Sequence, residues 1–459
     1  MPVAAVPPRS LWFESALLPD GWRQAVRVSL HEGRIAQVLA GAPAAAPDER
    51  HAIGLPGLPN LHSHAFQRAF AGLAEARGGG HDDFWRWREL MYRFVAHLQP
   101  QDLEAIAAQA YVEMLESGFT RVGEFHYLHH APDGRPYDNP AEMCERIAAA
   151  AAETGIGLTL LPVLYCQGGF GGVPPQAAQR RFVNDLERYG RLHERARAAL
   201  SGLPDGSVGV APHSLRAVTP AQLERVVALD VRGPVHLHVA EQQAEVADCL
   251  AWSGQRPVQW LLDHASVDAR WCLVHATHVE ESELRSLATR SAVVGLCPVT
   301  EANLGDGLFP ASAWLESAGR FGIGSDSNVL IDAAEELRTL EYGQRLAQRR
   351  RTVLAPATGG STARRLYDQA LAGGAQALGQ DSAGIVVGAS ADLVSLDVSH
   401  PSLGARSSNA ILDSWVFCAG AAAIDCVWRH GQKVVVAGRH LRGPEIAARY
   451  RRCLESLLA

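Results

Sequence analysis

The chain of 459 residues is nearly without lysine: Lys433 is the only one, and the rest of its 42 basic side chains are arginines. A P-loop needs a lysine directly after a glycine, whereas Lys433 follows Gln432. A Schiff-base enzyme needs a lysine in its pocket, and Lys433 lies far downstream of every chemical motif described below. The sequence therefore excludes P-loop nucleotide chemistry and lysine-based covalent catalysis.

Other absences narrow the class of protein further. The eight cysteines form no C-x-x-C pair, which predicts free thiols in a cytoplasmic protein. The first residues lack the basic start and apolar core of a secretory signal. The longest apolar stretch, 147–165, is interrupted by Glu153 and Thr154, so no membrane span is expected. The net charge of −7 indicates neither a nucleic-acid nor an anionic-membrane partner.

Short apolar runs alternate with amphipathic ones from about residue 55 to 330. Alternation of this kind predicts parallel βα units, and eight of them predict a (β/α)8 barrel, with a doubly wound sheet as the rival. The predicted helices include 101–117, 140–154, 178–200, 220–229 and 279–289, with prolines near several starts. The predicted strands are 54–64, 120–127, 156–165, 206–214, 233–241, 271–278, 292–300 and 321–327.

The two ends of the chain have a different pattern. Residues 11–55 and 384–440 contain short strand-like pieces separated by glycine turns, as in β-hairpins. We expect them to form one small discontinuous β-sandwich domain, from 1–54 and 384–459, the latter with a terminal helix. The barrel would then occupy 55–383. Two glycine-rich stretches, 77–83 and 167–175, are either loops over a site or ordinary surface loops.

Histidines and acids lie at the carboxyl ends of four predicted strands. His62 and His64 share one face of the first strand, and His236 and His238 share one face of the fifth, with Glu241 three residues on. His275 ends the sixth strand and Asp326 the eighth. Barrels of this kind keep their active sites at this face. Three histidines and an aspartate match a catalytic zinc with an open position for water.

Long blocks of the chain carry a family resemblance. LPGLPNLHSHAFQRAFAGL (55–73) resembles the first metal-binding strand of the amidohydrolase superfamily, and HVAE (238–241) and GSDS (324–327) fit its cytosine-deaminase-like branch. FWRWRELMYR (84–93), EFHYLHH (124–130), PHSLRAVTP (212–220) and CPVTEANLGDGLFP (297–310) resemble the N-formimino-L-glutamate deiminases. The resemblance spans nearly the whole chain. One departure is Asn328, where the family more often has histidine.

The resemblance implies a metal-dependent deiminase. It puts His62, His64, His238 and Asp326 on one divalent ion, most often zinc, whose bound hydroxide attacks the formimidoyl carbon. It also implies that Glu241, His275 and Asp326 are the catalytic residues. Which of the three accepts the first proton stays open. Superfamily members that bridge two metals use a carbamylated lysine on a middle strand, and this chain has no lysine there.

The resemblance also implies a dicarboxylate substrate and a homodimer in histidine breakdown. Guanidinium groups grip carboxylates with paired hydrogen bonds. The expected substrate-binding residues all lie in blocks shared with the family: Gln67, Arg88, Tyr127, His213 and Arg216. One alternative is a deaminase or chlorohydrolase acting on a purine, pyrimidine or triazine ring, which would favour stacking residues over paired arginines. Another is a barrel that has lost catalysis, yet this chain keeps every member of the predicted set.

Overall fold

The structure is a computed structural model that describes residues 9–76 and 84–459. The glycine-rich stretch predicted as a loop at 77–83 lies outside these residues. Two sheets organise the chain. One is a barrel of parallel strands, and the other is a mixed sheet built from both chain ends.

The strands, in chain order, are β1 (Arg9–Leu18), β2 (Gly21–His31), β3 (Arg34–Leu39), β4 (Glu49–Pro56), β5 (Leu58–Ser63), β6 (Phe119–His126), β7 (Gly157–Leu164), β8 (Ser207–Val208), β9 (Ala211–Pro212), β10 (Val235–Val239), β11 (Trp271–His275), β12 (Val293–Leu296), β13 (Arg320–Ile323), β14 (Leu393–Leu396), β15 (Ile424–Arg429), β16 (Gln432–Val436) and β17 (Arg439–His440).

The α-helices are α1 (Phe84–Val95), α2 (Pro100–Glu116), α3 (Glu142–Thr154), α4 (Leu186–Ala199), α5 (Pro220–Leu229), α6 (Gln243–Ser253), α7 (Pro257–His264), α8 (Glu281–Thr289), α9 (Pro298–Leu304), α10 (Ala311–Glu316), α11 (Ala333–Gln348), α12 (Thr362–Ala377), α13 (Asn409–Ser414) and α14 (Gly443–Leu458). Short 3-10 helices span Ala65–Phe70, Ala177–Gln179 and Gly420–Ala423, and a π-helix spans Trp415–Ala419.

The predicted barrel is confirmed. Its strands follow the order β10-β11-β12-β13-β5-β6-β7-β8, with β9 also pairing with β7, and every pair is parallel. Two isolated parallel bridges, Val210 to Val235 and Ser214 to His238, join the last strand position to β10 and close the ring. The predicted strand 206–214 is two short pieces, β8 and β9. A closed ring places the carboxyl ends of all strands around one opening.

Local sequence explains where the outer helices begin. Thr219 caps α5, accepting the main-chain N–H of Gln222 at 3.3 Å, and Pro220 occupies the first turn. Asp185 caps α4 in the same way, so this helix begins at Leu186 and not at 178 as predicted. The residues before Asp185 instead form a 3-10 turn and a segment that returns toward the barrel opening.

The closed end of the barrel is sealed by the C-terminal end of α12. Ala377 and Leu378 pack with Leu61, Val274 and Val293 in a fully buried cluster inside the ring. Helix α12 approaches β13 so closely that a Cβ at Gly373 would lie 2.0 Å from the carbonyl oxygen of Phe321. The barrel is therefore a packed core that opens at one end only.

The second sheet has the order β17-β16-β15-β14-β4-β1-β2-β3, so four strands from the end of the chain lie beside four from its start, and β14 pairs with β4 where the two sets meet. Only β1 and β4 pair in parallel. Phe13 and Val28 from the first part pack with Leu393 and Trp428 from the second in a core of their own. The terminal helix α14 lies against α2, where the Cys453 thiol contacts Asp102.

The cysteines and the helix lengths also bear on predictions made from the sequence. The eight cysteines all lie in the described ranges, and all are free thiols. No helix in the described part of the chain combines the length and apolar character that crossing a membrane requires.

Candidate active site

Four side chains meet at the open end of the barrel. His62 and His64 come from the end of β5, His238 from β10, and Asp326 from the turn after β13. Nε2 of His62 lies 3.2 Å from Nε2 of His64 and 3.1 Å from Nε2 of His238. Oδ1 of Asp326 lies 3.5 Å from Nε2 of His62 and 3.2 Å from Nε2 of His64. The predicted ligand set thus forms one buried cluster.

Hydrogen bonds from the Nδ1 atoms, which point away from the cluster, set the orientation of two of these imidazoles. His64 donates through Nδ1 to the carbonyl oxygen of Phe125 at 2.9 Å, and His238 donates through Nδ1 to that of His213 at 3.0 Å. In a neutral imidazole the other nitrogen is then a bare acceptor. The Nε2 lone pairs of both rings consequently point into the cluster, where they face a third nitrogen.

The cluster is suited to a divalent cation. Burial lowers the pKa of His62 to about 3 and that of His238 well below its ordinary value, so both rings are neutral ligands at pH 7. Burial opposes ionisation of Asp326, but its contacts with the imidazoles of His62 and His64 and the nearby His275 outweigh it and hold its pKa well below its ordinary value. Ligand atoms about 2.0–2.1 Å from a tetrahedral zinc are about 3.3 Å apart, which matches the observed spacings.

His275 and Glu241 lie beside this cluster. Nε2 of His275 is 3.8 Å from Oε1 of Glu241 and 3.8 Å from Oδ2 of Asp326. Burial disfavours the charged imidazole of His275, but the carboxylates of Glu241, Glu301 and Asp326 raise its pKa well above the ordinary value. Burial raises the pKa of Glu241. A carboxyl group and an imidazole of this kind can exchange a proton next to the metal ligands.

The backbone is strained at three strand ends that carry site residues. Ala240, His275 and Asp326 all have positive φ, at 52°, 65° and 44°, a region that side-chain-bearing residues rarely adopt. Strained backbone persists where the surrounding structure over-determines it, and such positions cluster at active sites. The sharp turns end each strand at its ligand or proton-transfer residue.

Asn328, the departure from the family pattern, supports the turn that carries Asp326. Its φ is 56°, a conformation that asparagine tolerates better than most residues. Its Oδ1 accepts the Ser325 hydroxyl at 2.6 Å, while Nδ2 donates to the carbonyl oxygens of His64 at 3.0 Å and Asp326 at 3.1 Å. The fully buried amide therefore joins two ligand-bearing segments.

A pocket opens over the cluster. All five residues predicted to bind substrate line it, together with Glu241, His275 and Asp326. Its walls add aromatic residues and Met91 from α1 and from the segments after β6 and β7. The lining residues are His64, Gln67, Trp87, Arg88, Met91, Tyr92, Tyr127, Tyr165, Phe182, His213, Arg216, His238, Glu241, His275, Leu304 and Asp326.

The two arginines predicted from the sequence both line this pocket. Arg88 lies on α1, with its guanidinium 5.6 Å from the centre of the Tyr92 ring. Arg216 follows β9, and its buried Nε has no hydrogen-bond partner among the described residues. Burial would lower the pKa of Arg216, but the carboxylates of Glu245 and Glu241 raise it. The pocket thus holds two permanent positive charges near the cluster.

Some functional neighbours had no signal in the sequence. Glu301, which contacts Nδ1 of His275 at 3.2 Å, lies in the quoted block 297–310 but carries no motif of its own. No motif in the sequence singles out Tyr92, Tyr165 or the nearby Gln179 either. His236 shares the inward face of β10 with His238 but lies deeper, and it contacts the carbonyl oxygen of Ala377 at the sealed end.

The fold and the site are those of a parallel barrel with a buried cluster of three histidines and one aspartate that could hold a metal ion at its open end, and comparison with known families gives the class. Residues 53–434 match the amidohydrolase family, and residues 10–52 match "Formimidoylglutamate deiminase HutF, N-terminal domain". The chain belongs to the amidohydrolase family.

Individual relatives show which members of the family this chain is similar to. The chain is 52% identical to formimidoylglutamate deiminase of Pseudomonas aeruginosa over 96% of this chain and 97% of that protein. A crystal structure of an amidohydrolase from Brucella melitensis superposes with a TM-score of 0.96 at 52% identity, covering 98% of this chain and all of that one. An adenosine deaminase from Xanthomonas campestris with bound zinc gives a TM-score of 0.80 at 25% identity, covering 98% of each chain.

Proposed function

We propose that this enzyme is a formimidoylglutamate deiminase, which hydrolyses N-formimino-L-glutamate to N-formyl-L-glutamate and ammonia. The observation that carries the proposal is the pocket itself, in which Arg88 and Arg216 lie together with a buried His3Asp cluster. A dicarboxylate needs two such cations. The relative from Pseudomonas aeruginosa, 52% identical over nearly the full chain, bears this name.

The cofactor of the proposal is one divalent ion, most simply zinc, held by His62, His64, His238 and Asp326. Nitrogen and carboxylate ligands with one open position are those of catalytic zinc. When bound, such an ion would lower the pKa of a water molecule toward neutrality and polarise the C=N bond. Support comes from the neutral, inward-facing imidazoles and from the zinc-bearing structure of the Xanthomonas campestris relative.

The protein side chains move the protons of the reaction. Water adds its oxygen to the formimidoyl carbon, the C–N bond to the departing nitrogen breaks, and ammonia leaves. Glu241, with its raised pKa, carries the proton from the attacking water to that nitrogen. His275, 3.8 Å from Glu241, lines the same pocket and stabilises the charge that develops on the reacting atoms. Asp326 can accept a proton while it remains a ligand.

The rest of the pocket positions the substrate. Arg88 and Arg216 line the end of the pocket that binds its carboxylates, and His213, Tyr127 and Gln67 supply hydrogen bonds between that end and the metal ligands. Gln67 donates to the Tyr127 hydroxyl at 2.9 Å, and that hydroxyl points to the sulfur of Met91 at 3.3 Å. These contacts fix Tyr127 against the pocket wall before the substrate arrives.

An ammonia-release assay tests the function directly. N-formimino-L-glutamate is compared with cytosine, guanine and adenosine, since a 5-methylthioadenosine/S-adenosylhomocysteine deaminase of Natronomonas pharaonis is 30% identical over 82% of this chain and 80% of that protein. We expect turnover of the linear dicarboxylate alone. Preference for a ring substrate would contradict the proposal.

The proposal places the enzyme in the cytoplasm as a homodimer that acts in histidine degradation, with no nucleic-acid or membrane partner. Free thiols and the net charge of −7 agree with a reducing compartment and with the absence of a polyanionic partner. Light scattering coupled to size-exclusion chromatography measures the mass against that of the 49.3 kDa chain. A monomeric mass would contradict the dimer.

A further inference from the structure

A single glutamine amide joins two tyrosines of the pocket wall. Nε2 of Gln179, on the 3-10 turn after β7, lies 2.6 Å from the hydroxyl oxygen of Tyr165 and 3.4 Å from that of Tyr92. Gln179 itself is only 2% exposed and does not line the pocket, whereas both tyrosines do. The amide therefore lies behind the two phenols and reaches the pocket only through them.

The orientation of this amide is fixed by the main chain. Oε1 of Gln179 accepts the N–H of Gln176 at 2.7 Å, so the NH2 group must face the tyrosines. Because that group can only donate, each hydroxyl oxygen is an acceptor toward Gln179. Each phenol then keeps its own hydrogen for a partner on its other side.

Both phenols line the same pocket as Arg88 and Arg216. Arg88 lies over the Tyr92 ring, and the charges of Arg216 and Arg88 act on Tyr165. Burial raises the pKa of Tyr165 to about 12, so its hydroxyl keeps its hydrogen at neutral pH. Phe182 packs its ring 6.1 Å from both phenol rings, which restricts their movement.

We propose that Gln179 is a positioning residue for substrate specificity, and that it turns the hydroxyl hydrogens of Tyr92 and Tyr165 toward a substrate carboxylate held beside Arg88 and Arg216. The inference deepens the proposed function and rests on it. Two hydroxyl donors beside two guanidinium groups satisfy more of the lone pairs of a carboxylate than the arginines alone. A carboxamide gains less, because its NH2 group cannot accept from a phenol.

The test replaces Gln179 with glutamate, whose carboxylate accepts the phenol hydrogens and withdraws them from the pocket. We expect Gln179→Glu to raise KM for N-formimino-L-glutamate about tenfold or more, with kcat changed less than about threefold. KM for N-formimino-L-glutamine, in which an amide replaces the side-chain carboxylate, should change less than about threefold. Gln167→Glu makes the same substitution on the same segment, away from the pocket, and should leave both substrates unaffected.

Two nearly isosteric variants test the same proposal even if Gln179→Glu does not fold. Tyr165→Phe and Tyr92→Phe each remove one hydroxyl and should each raise KM for the acid by about three- to tenfold, with the amide again much less affected. An unchanged KM for the acid in all three variants would overturn the proposal, and so would an equal rise for acid and amide. A fall in kcat without a change in KM would overturn it as well.

Binding without turnover separates this proposal from the proposed function. Calorimetry with glutarate, a five-carbon dicarboxylate, measures the carboxylate-binding arrangement directly. We expect about tenfold weaker binding by Gln179→Glu than by the unaltered enzyme. If the unaltered enzyme releases no ammonia from N-formimino-L-glutamate but shows this loss, the function is wrong and the arrangement stands. Equal binding of glutarate by both would overturn the arrangement.

Discussion

Oε1 of Glu301 lies 3.2 Å from Nδ1 of His275 and also accepts the main-chain N–H of Cys297 at 2.9 Å. The carboxylate, on the first turn of α9, thus fixes the ring so that Nε2 faces Glu241 and Asp326. An acid that orients an imidazole in this way sets its tautomer and stabilises its charged form. Glu301 is therefore part of the proton-transfer arrangement, although it touches neither the metal cluster nor the pocket surface.

The first prediction concerns this pair. Glu301→Gln keeps an acceptor for His275 but removes the negative charge, so kcat should fall about 10–100-fold with KM nearly unchanged. Bound metal, measured by mass spectrometry, should stay at the level of the unaltered enzyme. A parallel loss of metal would show that Glu301 acts on the ligands instead. Glu280→Gln, on an exposed carboxylate near α8, is the matched control.

The second prediction concerns Glu241. Glu241→Gln retains the shape of the side chain but cannot carry a proton, so kcat should fall by about 10²–10⁴. Metal content and the unfolding temperature should remain close to normal, because Glu241 is not one of the four clustered ligands. Steady-state kinetics and metal analysis on the same sample measure both effects. Full turnover in the variant would contradict the proton-transfer role.

Removal of either pocket arginine should weaken substrate binding and leave the metal site unchanged. Arg88→Ala or Arg216→Ala deletes charge-assisted hydrogen bonds to a substrate carboxylate, worth about 1.5–3 kcal/mol, and KM should rise about 10–100-fold. Metal content should not change. Arg191→Ala, which removes an exposed guanidinium paired with Glu187, is the control and should behave as the unaltered enzyme. Unchanged saturation curves in both pocket variants would contradict the dicarboxylate pocket.

The metal prediction follows from the cluster and from the lack of lysine. Purified enzyme should contain about one divalent ion per chain, and chelation should lower the unfolding temperature, since a ligand that binds only the folded state stabilises it. His62→Ala should lose the ion, whereas His264→Asn, on an exposed histidine, should retain it. Two ions per chain would contradict a mononuclear site.

The fifth prediction concerns acid stability at Lys433. Burial would raise the pKa of Glu49, but hydrogen bonds from Lys433, Arg9 and His51 outweigh it and lower that pKa from 4.5 to about 2. A depressed carboxyl pKa contributes stability above pH 4.5 that is lost as the pH falls toward 2. Lys433→Met should therefore lower the free energy of unfolding at pH 7, and its difference from the unaltered enzyme should shrink below pH 4.

Urea unfolding at pH 7 and at pH 3 measures that difference. Lys433→Arg keeps the charge and serves as the control, because it should remain close to the unaltered enzyme at both values. A difference between Lys433→Met and the unaltered enzyme that is as large at pH 3 as at pH 7 would contradict the linkage to Glu49.

Much of the fold was predictable because its signals are local. All eight predicted strand positions carry barrel strands, and Thr219 and Pro220 mark the start of α5 directly in the sequence. The start of α4 was predicted eight residues too early. The residues before it are polar and periodic like a helix, yet buried contacts such as those of Gln179 hold them in another conformation. Tertiary contacts of this kind produce no periodic pattern in the sequence.

The site was predictable where chemistry needs a fixed spacing. His62 and His64 share a face because strands alternate, and the structure brings them together with His238 and Asp326. Glu301 and Gln179 were not predictable from residue type or spacing. Each acts on a partner from a distant segment, His275 in one case and Tyr165 in the other, and only the folded chain shows these pairs.

The lone lysine has a practical consequence for handling the protein. Lys433 lies on β16, with its ammonium paired to Glu49 and 5.2 Å from the centre of the Trp428 ring, in the sheet built from the chain ends. Reagents that acylate primary amines therefore have one side chain to react with, besides the amino terminus. A fluorophore or a solid support attached there would lie on that sheet and not among the residues that line the pocket, so single-point coupling through Lys433 modifies none of the lining residues.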